Sequence, residues 1–96
     1  MDHIAPHDPY ASWSRPRKIL YLKSLIKRWN DGWAETWNGW KELDDTQKML
    51  RGSHANCLQD LPGHIKRVAT SLGMAINDPK IVKWGYNDAP RRPPDG

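Results

Sequence analysis

Residues 19–43 read ILYLKSLIKRWNDGWAETWNGWKEL, and the conformation of this stretch decides the rest of the chain. Ile19, Leu22, Ile26, Trp29, Trp33, Trp37 and Trp40 recur at gaps of three and four, the spacing of one stripe on an α-helix. Each indole can remove about 150–250 Å² from water, so the four together offer roughly 600–1000 Å² of apolar surface. A soluble monomer seldom exposes a contiguous apolar patch above about 300–600 Å². The stripe must therefore be covered by later helices of the chain, by a partner, or by both.

Two readings of its length stand side by side. The unbroken phase favours one long helix from Pro16 to Leu43, with Gly32 as the place where it could kink, and this is the preferred reading. Asn30-Asp31-Gly32 and Asn38-Gly39 favour two helices, because each Gly costs about 1 kcal/mol in a helix interior. A single helix of that length would span about 42 Å. A compact domain of this size has a diameter of roughly 33 Å, so the one-helix reading predicts an overhang that leans on something else.

Ser14 fits the N-cap of this helix, with Pro16 in its first turn where a missing N–H costs nothing. Arg15, Arg17 and Lys18 share that turn with the positive end of the helix dipole. The conflict suggests that these cations serve something other than helix stability. Lys23, Lys27 and Arg28 follow, and no acidic residue lies between Asp8 and Asp31. Over the whole chain, 15 Lys and Arg against 11 Asp and Glu give a net charge of +4. That is a mild bias toward anionic partners, concentrated in one window.

Outward from the helix, residues 1–13 hold two prolines and no periodicity, and read as an irregular arm ending in Trp13. Asp44-Asp45-Thr46-Gln47 has the form of a capping box opening a second helix that runs to about Leu58. Met49, Leu50, Cys57 and Leu58 make its apolar face. Asp60 is placed to cap a third helix carrying Ile65, Val68, Ala69 and Leu72 and ending at Gly73. A short last helix opens at Asn77-Asp78-Pro79, holds Ile81, Val82 and Trp84, and ends at Gly85. Residues 87–96, with Pro90, Pro93, Pro94 and Arg91-Arg92, read as an extended tail. No alternating strand pattern occurs. The fold class is all-α: a small bundle of three to four helices in residues 14–86, organised on the Trp-rich helix, with irregular Pro-containing arms at both ends.

The functional expectations are of binding rather than catalysis. No nucleophile stands beside a base, and no glycine-rich phosphate loop follows a strand. His54, Cys57, Asp60 and His64 do not have a zinc spacing, and His3 and His7 look incidental, so neither metal nor cofactor is expected. One cysteine forms no internal disulfide and suits a reducing compartment. No apolar run approaches the length of a membrane span and no signal-peptide core opens the chain, which predicts an intracellular protein.

The leading expectation is a small non-enzymatic helical interaction protein, an accessory subunit, adaptor or inhibitor of a larger assembly with an acidic surface. Trp29, Trp33, Trp37 and Trp40 would anchor it, and Arg15, Arg17, Lys18, Lys23, Lys27 and Arg28 would steer it. The alternative is a nucleic-acid-binding regulator in which Ile65–Trp84 resembles a helix-turn-helix and Lys66, Arg67, Lys80 and Lys83 contact the polymer. Against it, the five residues between Gly73 and Pro79 exceed the usual turn, and the last helix lacks the Arg, Asn and Gln that read base edges.

Overall fold

Ser14 Oγ accepts from the backbone N–H of Arg17 at 3.3 Å, and α1 (Arg15–Trp37) starts there with Pro16 in its first turn. A computed structural model describes residues 8–92 of the chain. α1 passes without a break through Asn30-Asp31-Gly32. Gly32 is a contact point: a Cβ built there would lie 2.5 Å from Leu58 Cδ2. Leu58 thus packs directly on the helix backbone.

The helix stops at Asn38-Gly39. Gly39 takes φ 66°, a left-handed conformation open to glycine at little steric cost, and Trp40–Glu42 form one 3-10 turn. Trp40 is therefore off α1, and the single helix reaching Leu43 is corrected to one of 23 residues. Its length is about 35 Å. The molecule measures 55 × 30 × 19 Å with a radius of gyration of 16.3 Å, so α1 lies within an elongated body and does not overhang a compact one.

The return limb is a rod. Asp44 and Gln47 form the reciprocal capping box, with bonds of 2.8 and 3.1 Å, and open α2 (Asp45–Ala55). The backbone then continues as a 3-10 segment, Asn56–Asp60, straight into α3 (Leu61–Ser71). Asp60 makes no side-chain cap, against expectation, because the chain enters α3 already helical and Pro62 occupies the first turn. α3 ends at Gly73 (φ 76°), where Met74 N–H bonds Ala69 O and Gly73 N–H bonds Thr70 O. Asp78 caps α4 (Pro79–Lys83), and Gly85 closes it with the same pair of bonds, Tyr86 to Ile81 and Gly85 to Val82.

Leu58 at Gly32 and Lys18 Nζ at Ser71 O (3.2 Å) show that the rod runs antiparallel to α1. Leu22, Leu25, Ile26, Trp29 and Trp33 meet Leu61, Ile65, Val68, Ala69 and Leu72 between the two limbs. Ile81 and Tyr86 close the core from the other flank. The apolar face expected of α2 is corrected. Met49 and Leu50 are 71% and 58% exposed and Cys57 is exposed, because α2 meets α1 through Ala55 and Arg51. Among the described residues there is no strand, and no helix is long and apolar enough to cross a membrane.

Candidate interaction surfaces

The four indoles form a continuous ridge. Trp29 and Trp33 meet edge-to-face at 5.7 Å, Trp33 and Trp37 stack at 5.5 Å, and Trp37 and Trp40 meet edge-to-face at 4.8 Å. The chain covers much of this ridge itself. Trp29 is 0% and Trp33 3% exposed, so these two expected anchors offer no surface to a partner, while Trp37 and Trp40 are half-buried.

The cover on one flank is the segment after α4. Trp29 Nε1 donates to Asn87 O at 2.8 Å and Trp37 Nε1 to Pro90 O at 2.7 Å. Asn30 Nδ2 reaches Gly85 O at 3.2 Å, and the Arg91 guanidinium lies over the Trp29 ring at 5.4 Å. Within this segment, expected to be extended, Ala89–Arg91 form a 3-10 turn; Pro93 and Pro94 lie outside the described residues. Trp33 Nε1, between its two satisfied neighbours, is buried with no hydrogen-bond partner among the described residues.

The basic residues come together in a way the linear chain hides. Folding brings residues 8–28 beside 61–84, through Lys18 on Ser71, Lys23 over the Trp84 ring at 5.2 Å, and the Ser71 hydroxyl donating to Asp8 Oδ2 at 2.8 Å. This half carries Arg15, Arg17, Lys18, Lys23, Lys27, Arg28, Lys66, Arg67, Lys80 and Lys83 against Asp8 and Asp78 alone. The other half, residues 29–60 with the segment 85–92 that lies on Trp29 and Trp37, carries Lys41, Lys48, Arg51, Arg91 and Arg92 against Asp31, Glu35, Glu42, Asp44, Asp45, Asp60 and Asp88. The molecule is electrostatically bipolar along its length.

The cations are not one solvated face. Lys18 is tied to Ser71, Lys23 covers Trp84, Arg17 stacks on Trp13 at 3.8 Å from the ring centre, and Lys27 pairs with Asp31. Arg15, Arg28, Lys66, Arg67, Lys80 and Lys83 are exposed and form no ion pair among the described residues. The Arg17–Trp13 stack continues into Tyr10 and Tyr21, with ring separations of 5.0 and 5.3 Å. Burial first, and then the neighbouring Tyr21, pushes the Tyr10 phenol above its ordinary value.

α4 has five residues and is about 8 Å long, short for an element that would read a major groove about 12 Å wide. A groove of about 650 Å³ opens between the end of α1 and α2, lined by Gly32, Glu35, Thr36, Leu43, Gln47, Leu50, Arg51, His54 and Leu58. Its lining offers no set of metal donors, and among the described residues no three His, Cys, Asp or Glu are placed to hold a metal ion. His3 and His7 lie outside the described residues. No protein-family model matches this chain, and neither a curated protein nor a solved structure does.

Proposed function

We propose that this chain is a small non-enzymatic interaction protein that docks on an acidic surface of a larger assembly, with its basic half as the contact region. The observation that carries this reading is the charge segregation: ten Lys and Arg face two Asp over that half, and six of the ten are exposed and form no ion pair among the described residues. Exposed cations clustered on a helical frame favour rapid, steered association with an anionic surface. Arg15, Arg17 and Arg28 on α1 and Lys66 and Arg67 on α3 are the residues assigned to the contact. Lys18, Lys23 and Lys27 contribute field while engaged with Ser71, Trp84 and Asp31. Of the tryptophans, Trp37 and Trp40 keep enough exposure to touch a partner, whereas Trp29 and Trp33 hold the fold.

The test is affinity capture from the native cells with wild-type chain and with Lys66→Glu/Arg67→Glu, each with and without nuclease. A protein partner that survives nuclease, and that the charge-reversed chain fails to retain, supports this reading. Equal retention by both chains overturns it. The second reading, nucleic-acid binding through Lys66, Arg67, Lys80 and Lys83, draws on the same half and predicts loss of every partner to nuclease. Its affinity for a DNA or RNA oligonucleotide would fall steeply with salt.

A further inference from the structure

We propose that the tryptophan ridge of α1 is a binding surface for short proline-containing peptide segments, and that the chain's own C-terminal segment occupies it as a resident ligand. The segment after Tyr86 reads Asn87-Asp88-Ala89-Pro90-Arg91-Arg92 and brings few apolar side chains to the contact. What it supplies is main-chain carbonyls, at Asn87 and Pro90, each taking an indole N–H at 2.8 and 2.7 Å. Aromatic-lined grooves are a recurring receptor for proline-containing segments; here the segment turns as a 3-10 unit at Ala89–Arg91, and the rings are joined by donors aimed at two of its carbonyls. Arg91 adds a guanidinium over the Trp29 ring and is held there by Asp88 at 2.7 Å.

One feature points to capacity beyond the resident. Trp40 extends the row past Trp37, only half-buried, with a ring separation of 4.8 Å. The ligand class is therefore a short segment with a proline and an adjacent arginine, competing with residues 87–92 for the ridge. This inference is independent of the basic half, and either can fail alone.

The test uses the full-length chain with its resident weakened by Pro90→Gly/Arg91→Ala, titrated into a fluorescently labelled peptide of residues 86–92. The weakened chain should bind at least about tenfold more tightly than wild type, whose tethered segment competes at high effective concentration. Adding Trp37→Phe should reverse the gain, and a scrambled peptide of equal composition should not bind. A weakened chain that keeps its helical circular dichroism and binds no better than wild type overturns the proposal, as does equal binding of the scrambled peptide. Should the double variant lose its helical signal, the single Arg91→Ala chain is read by the same criteria.

Discussion

Arg51 reaches from α2 to the end of α1 and donates through Nη1 to the carbonyl of Thr36 at 3.0 Å. The same nitrogen lies 2.8 Å from Glu35 O and 2.9 Å from Asn38 O. Three carbonyls at the end of the helix, of which Glu35 O also accepts the Asn38 N–H, converge on one cation at the negative end of the helix dipole. Arg51→Met keeps the aliphatic stem and removes the donors, and should cost about 1–2 kcal/mol of stability. Hydrogen exchange should quicken in the last turn of α1 and stay unchanged in α3. Equal exchange in both places would remove the capping role.

Trp29 and Trp33 make a matched pair for separating packing from hydrogen bonding. Both rings are buried, but Trp29 Nε1 is bonded to Asn87 O and Trp33 Nε1 has no partner among the described residues. Trp→Phe shrinks each side chain alike, and should cost more at Trp29 than at Trp33 by roughly 1 kcal/mol, because only the first loses a bond. Denaturant midpoints of the two variants, with unchanged slopes, measure the difference.

Gly32 and Leu58 should couple energetically. In Gly32→Ala the new methyl must displace the end of the Leu58 side chain, while the helix gains about 1 kcal/mol in propensity, so the net change should be small. Gly32→Val adds branches into the same contact and should cost about 1–3 kcal/mol. Leu58→Ala in the valine background should recover part of that loss, a negative coupling that a double-mutant cycle reads directly.

Alkaline pH should weaken the fold. Burial raises the pKa of Tyr10, aided by Tyr21, and burial with the nearby Asp88 raises that of Tyr86, against the opposing pull of Arg91. A group whose folded pKa lies above its unfolded value keeps the native state better protonated. Its contribution is complete below the ordinary tyrosine value of 10.0 and is lost as pH rises through the folded pKa. Melting temperatures should decline above that point, and Tyr86→Phe should flatten the decline. An unchanged slope in the phenylalanine variant counts against the assignment.

Local signals in the sequence carried through to the structure. Ser14, the Asp44–Gln47 box, Asp78, Gly73 and Gly85 each act on backbone within a few residues, and each sits where its chemistry places it. What could not be read was decided at long range. Gly32 looks like a helix defect until Leu58, 26 positions on, is seen to need its missing side chain. Met49 and Leu50 look like core until Ala55 and Arg51 take the contact with α1.

The candidate surfaces divide in the same way. Arg15 to Arg28 and Lys66 to Lys83 appear in the sequence as two separate basic sets, and only the antiparallel return of the rod merges them. The covering of Trp29 and Trp37 by Asn87 and Pro90 has no signal in periodicity, because the segment contributes carbonyls and not an apolar pattern. Leu25, buried on α1 beside the expected stripe, shows that the apolar face is broader than a strict gap of three and four suggests.

The elbow at residues 38–44 has a kinetic consequence. Because the rod retraces α1 from that bend, Arg51 meets Thr36 after only a short excursion of chain, Leu58 then meets Gly32, and Ser71 meets Lys18 last. Each closure shortens the loop left for the next, so the two limbs can zip from the elbow toward the basic pole with little entropy lost at any one step. Assembly of this hairpin should be rapid for its size, with the segment after Gly85 settling onto the ridge once the zipper has passed.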